Sequence, residues 1–252
     1  MAKRRLSKAA VRSFEGPKIA CINKAKTDLG VDFDKLVPAL QKFMDDCFVP
    51  AWGAPARLVK ATKEIAGAWA IKFVDTADSD EGWHDIKKSG LPYSQVFVKA
   101  TLDVGDKVST TACHELAEMM IDPAANLWCE GPRSTLWAYE VCDPVEEDEF
   151  EIDGISMSNF VTPAYFELFR VKQRKAVPYD YLDKLKKPFS LRPGGYVDIR
   201  HGRRVKERFG STKKARRFAK EDRRLHRTEF RKALVTKQGA LYRHMLKTGS
   251  AG

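Results

Sequence analysis

Within its first 121 residues the sequence passes from a short β-rich run to a helix-period stretch, through three more β-rich runs, and back to a helix-period stretch. That order calls for a sheet with helices laid on it, because neither kind of element can bury its apolar side alone. Lys18, Ile19, Ala20, Cys21 and Ile22 read as a buried strand, and residues 32–47 place Phe33, Leu36, Val37, Leu40, Phe43 and Met44 at helical spacing. Pro38 falls early in that helix, where its missing donor costs least or kinks it. Residues 57–61 and 69–74 are expected strands, followed by a polar, Asp-rich loop at 75–81. Residues 94–100 form the clearest strand by β-branched and aromatic content. A helix is then expected over 110–121, begun by the hydroxyls of Ser109, Thr110 and Thr111 and stopped by Asp122-Pro123. From 124 to 190 the chain reads as irregular, with short strands at 137–141 and 155–160. The fold class implied is α+β, a twisted mixed sheet packed on helices.

The 252 residues are 43% hydrophobic and 31% charged, enough to bury a core, and no apolar stretch approaches the roughly 18 residues of a membrane span. No apolar segment of signal-peptide length follows the basic amino terminus, so synthesis in the cytoplasm without cleaved export is expected. Five cysteines without a CxxC pair point to reduced thiols. The net charge of +11 is unevenly divided: residues 191–252 hold 19 Lys/Arg and 5 Asp/Glu, which leaves residues 1–190 slightly acidic. Composition thus predicts a basic arm at 1–17, a domain at 18–190 and a basic extension at 191–252, opened by the turn Leu191, Arg192, Pro193, Gly194, Gly195 and continued by a basic helix over 211–233. Arg203, Arg204, Lys213, Lys214, Arg216 and Arg217 can neutralise phosphates of a nucleic acid or dock onto an acidic protein neighbour, and both readings stand.

The strongest chemical signal lies in the helix expected over 110–121. His114 and Glu118, four positions apart, project within about 40° of each other with roughly 6 Å of axial rise, so both can grip one ion. Glu115 would flank that ion, where it can take a proton from a water molecule. Asp122 is a poor partner, about 12 Å along the axis from His114 while the helix stays straight.

His114, Glu115 and Glu118, followed by Asp122-Pro123, resemble the zincin metallopeptidases. The HExxE form with its Asp-Pro is most similar to zincin-like proteins of tailed bacteriophages and some bacteria. The likeness covers residues 18–170 and is concentrated in 110–143. It implies a zincin-like fold with an active-site helix, a zinc cofactor, a peptide substrate and an exposed edge strand before the helix, a place that residues 94–100 would fill. It also implies a downstream acid as third ligand: Glu140 first, Asp143 second. Glu118 departs from the common motif, which has a second histidine there, and an anionic ligand weakens activation of the water. Zinc suits imidazole with carboxylates, although manganese or iron would also be accommodated. By the same resemblance the protein would pass from the host cytoplasm into a virion, with other virion proteins as partners. A competing expectation is an assembly subunit with a catalytically silent zincin fold, whose basic tail contacts neighbours or DNA.

Other residues carry weaker signals. His84, in Gly82-Trp83-His84-Asp85, either lines the same cleft or makes a structural hydrogen bond. Cys113, Cys129 and Cys142 with His114 lack the paired spacing of a thiolate zinc site. Glu146, Glu147, Asp148 and Glu149 read as a solvated turn, and the five tryptophans as core or cleft wall. Neither a GxxxxGK[ST] loop nor a GxSxG elbow is present.

Overall fold

A computed structural model describes residues 16–75, 81–167 and 177–213. The described chain is a mixed α/β structure of several sheets and few helices. Strand β1 (Lys18–Asn23) leads to helix α1 (Phe33–Phe43), which continues through a π-helical turn at Met44–Phe48 into α2 (Val49–Trp52). The Asp32 carboxylate accepts from the Asp34 amide at 2.9 Å and caps α1. Leu36, Val37, Leu40 and Phe43 form its buried stripe, and Pro38 is carried in the second turn without ending the helix.

Strands β2 (Arg57–Ala61), β3 (Trp69–Val74), β4 (Gly82–Ile86) and β5 (Pro92–Phe97) join β1 in a five-stranded sheet of order β2-β1-β3-β5-β4. All run parallel except β4, which lies antiparallel to β5 at the edge. Strand alternation sends Ile19 and Cys21 into the core beneath the helices and Ala20 and Ile22 to the opposite face. The strand expected over 94–100 is therefore corrected in two respects. It is internal, not an edge, and it ends at Phe97, after which Val98, Lys99 and Ala100 open helix α3 (Val98–Asp103). The Thr101 hydroxyl secures that turn by donating to the Phe97 carbonyl at 3.0 Å.

Helix α4 (Val108–Ile121) begins two residues before the expected start. None of the three hydroxyls caps it. The cap position is Lys107, and the Thr110 hydroxyl donates instead to Glu149 Oε1 at 2.9 Å. Eleven of the fourteen residues of α4 are buried, so its polar side chains must find partners inside the protein. It packs against β4 and β5, and against β9 (Ile155–Ser158) of a hairpin with β8 (Glu149–Ile152). In chain order another hairpin, of β6 (Trp128–Gly131) and β7 (Thr135–Ala138), separates α4 from β8.

Strands β10 (Tyr196–His201) and β11 (Arg204–Phe209) form a last hairpin, and β10 pairs with β7 to give the order β11-β10-β7-β6. The boundary expected at residue 190 is therefore displaced. Val197 belongs to the main core, and the folded body runs through Phe209. Charge composition conceals this because Arg203, Arg204, Lys206 and Arg208 point outward while Tyr196, Val197 and Val205 point inward. Arg203, Arg204 and Lys213 are exposed; Lys214, Arg216, Arg217 and the remainder of the expected basic helix lie outside the described residues, as do residues 1–15 of the leader. The acidic run is also not a solvated turn. Asp148 is buried against Lys184 at 3.0 Å and Arg192 at 2.8 Å, and Glu149 holds Lys107.

Candidate metal centre

Helix α4 presents His114, Glu115 and Glu118 to the interior. His114 Nε2 lies 3.2 Å from Glu118 Oε1 and 3.3 Å from Asp143 Oδ1. Asp143 opens the short helical turn Asp143–Val145, and that turn is fastened to α4 through the same carboxylate. The amides of Cys142 and Asp143 donate to Glu118 Oε1 at 3.2 and 3.3 Å. The Tyr196 hydroxyl, from β10, donates to Asp143 Oδ1. Gly195 permits this contact: a Cβ there would fall 2.0 Å from the Pro144 carbonyl oxygen.

Edge strand β4 brings His84 to the other side of Glu118. His84 Nε2 is 3.0 Å from the carbonyl oxygen of Asp122, and since a carbonyl only accepts, Nε2 carries the proton. Nδ1 then faces Glu115 Oε2 at 3.1 Å and Glu118 Oε2 at 4.0 Å. Glu140 Oε2 lies 3.8 Å from His84 Nε2. Gly82 sets the depth of the strand, because a Cβ at that position would come within 2.9 Å of Glu115 Cγ. The Asp122 carboxylate is engaged by the amides of Asn126 and Leu127 at 2.9 and 2.8 Å, where it ends α4 and is no ligand.

Four carboxylates and two imidazoles thus share one buried region, with Glu118 wholly buried and His114 only 8% exposed. Carboxylates so placed cost several kcal/mol each, of the order of 3–5, unless charge or donors compensate. Burial pulls the His114 pKa down, but the Glu118 charge, then contacts with Asp143 and Glu118, hold it well above 6.5. Glu118 Oε2, buried with the rest of its side chain, makes no hydrogen bond. Ligands about 2.0–2.1 Å from a tetrahedral ion stand about 3.3 Å from one another, close to the spacing of His114 from Glu118 and Asp143. His114, Glu118 and Asp143 can hold a metal ion, and so can His84, Glu115 and Glu118.

The residues read from the sequence are sorted by this geometry. His114 and Glu118 come together as expected, and the acid that joins them is Asp143. Glu140, the first choice, is not in that triad and borders His84 instead. Glu115 adjoins the centre through His84, which is a member of the cluster. The cysteine alternative gains no support: the thiols of Cys113, Cys129 and Cys142 each reach a backbone carbonyl, and neither ligand cluster among the described residues includes a cysteine. Tyr196 and Gly82 were not anticipated. The alternation of Tyr196, Val197, Asp198 and Ile199 was the signal available for the first, while nothing local marks the second. Comparison with protein-family models, curated proteins and solved structures finds no match to this chain.

Proposed function

We propose that this chain is a zincin-like, divalent-metal-dependent hydrolase that cleaves peptide bonds and is associated with the particle of a tailed bacteriophage. The convergence of His114, Glu118 and Asp143, with the buried Glu118 Oε2 left without a hydrogen bond, carries the metal-centre part. The resemblance of His114-Glu115-Leu116-Ala117-Glu118 to the phage zincin-like proteins supports the rest. A cation held by that triad supplies Lewis acidity, which makes water nucleophilic near neutral pH and polarises a scissile carbonyl. Zinc suits one imidazole and two carboxylates, and the anionic ligands make turnover modest.

The chain's own groups complete the chemistry. Glu115 takes the proton of the attacking water and returns it to the leaving amine, and His84, when protonated on both nitrogens, holds that carboxylate by donating from Nδ1 across 3.1 Å. An extended substrate adds to the outer edge of β4, which among the described residues pairs with β5 alone. Purified protein supplied with zinc should cleave an unstructured protein such as casein and lose that activity to a chelator. Glu115→Gln should lower kcat about 10²–10⁴-fold. Proteolysis that survives both treatments removes the hydrolase reading.

A second reading rests on Arg203 and Arg204, exposed at the tip of the β10–β11 hairpin where the strongly basic segment begins. It makes the protein an assembly subunit whose basic extension contacts virion proteins or packaged DNA. Particles that form normally with Glu115→Gln but exclude an Arg203→Glu, Arg204→Glu variant would favour it.

A further inference from the structure

We infer that the cluster is built for two divalent cations bridged by Glu118, with His114, Glu118 and Asp143 at one and His84, Glu115 and Glu118 at the other. The inference rests on the reading of the first site and extends it in ion count and in the role of Glu115.

The two oxygens of Glu118 face different histidines. Oε1 lies 3.2 Å from His114 Nε2, and Oε2 lies 4.0 Å from His84 Nδ1. Oε2 belongs to a fully buried side chain and makes no hydrogen bond, so a strong acceptor is aimed at the second triad without a donor to satisfy it. A carboxylate that gives one oxygen to each of two ions suits the separation of about 3.5–4 Å found in two-metal hydrolytic centres.

His84 is oriented as a metal-ligating histidine is. Its Nε2–H is committed to the Asp122 carbonyl at 3.0 Å, which fixes the tautomer and presents Nδ1 to Glu115 and Glu118. The ligand atoms of His84, Glu115 and Glu118 all lie within 4.8 Å of one another. Ser94 stands opposite His84 across the β4–β5 pair, so the two side chains share a sheet face, and Ser94 Oγ is also buried without a hydrogen bond. Glu118 Oε2 and Ser94 Oγ are thus two buried oxygens near His84 that make no hydrogen bond.

Charge favours the same count. The four carboxylates and two imidazoles of the cluster sum to −2 even with both imidazoles protonated. Two divalent cations with neutral imidazoles bring these six side chains to zero, and a single cation with His84 still protonated leaves them negative. The mixed imidazole and carboxylate donors suit manganese, iron or zinc. Glu115 is a base when the second position is empty and a ligand when it is filled.

Full-length protein stripped by a chelator should bind two equivalents of Mn²⁺, and separately two of Zn²⁺, by calorimetry with elemental analysis after gel filtration. The manganese form should give the exchange-coupled electron paramagnetic resonance spectrum of a bridged pair. His84→Ala should lose one equivalent and the coupling. One equivalent in the wild type, with the six-line spectrum of isolated manganese, would overturn the second site and leave the first standing. No binding by the wild type, or two equivalents untouched by His114→Ala, would overturn both. Because His84→Ala can disturb the fold, the wild-type spectrum decides by itself: two equivalents without coupling exclude the Glu118 bridge.

Discussion

Asp143 distinguishes this centre from a helix that merely carries acids. Its Oδ1 is 3.3 Å from His114 Nε2, whereas Glu140, three residues earlier, meets His84. Asp143→Asn should therefore weaken zinc binding by about 100-fold or more, and Glu140→Gln by less than about 10-fold, measured by calorimetric titration. Metal-free protein should also report on His114 through pH. The folded pKa lies well above 6.5, so its contribution to stability is complete below about 6.5 and is lost as pH rises through the raised value. Thermal melts of chelated protein should fall over that interval, while zinc affinity rises over it because the bound imidazole must be neutral. In His114→Gln this part of the slope should disappear; a slope identical to wild type would show that His114 does not carry it.

At the scale of elements, the site is a helix gripped from two directions. Strand β4 reaches Glu115 because Gly82 has no Cβ, so Gly82→Ala should push the Glu115 carboxylate aside. Turnover should fall at least about 10-fold while the His114 site still binds zinc. Strand β10 reaches Asp143 through the Tyr196 hydroxyl, and Tyr196→Phe should reduce zinc affinity about 10–100-fold with the melting curve little changed. How far these elements could be read from the sequence follows from where their determinants lie. The helix motif was legible because His114, Glu115 and Glu118 are fixed relative to one another by helix geometry alone. The choice between Glu140 and Asp143 was not, since Val141 and Cys142 lie in irregular chain whose path depends on the Glu118 carboxylate. Val98, Lys99 and Ala100 read as strand by composition, but the chain turns at Phe97 into α3, a tertiary choice that propensity does not record. The edge position of β4 was equally hidden, because strand order arises from pairings distant in sequence.

For the whole molecule, charge was a poor guide to where folding stops. The basic segment begins with a hairpin that completes the β11-β10-β7-β6 sheet and buries Tyr196 and Val197. Ending the chain at residue 190 should thus abolish cooperative unfolding and zinc binding together, by circular dichroism and calorimetry, where a detachable tail would leave both intact. The same architecture bears on how a folded protein keeps so many acids inside: α4, the Asp143–Val145 turn and two strands surround them, and a cation in the proposed centre would offset their charge. The most direct test of that account is anomalous diffraction at the zinc edge from crystals grown with the metal. A peak about 2.0–2.2 Å from His114 Nε2 and from carboxylate oxygens of Glu118 and Asp143 is predicted. Zinc absent from this triad in well-ordered crystals, or bound elsewhere on the chain, would contradict it.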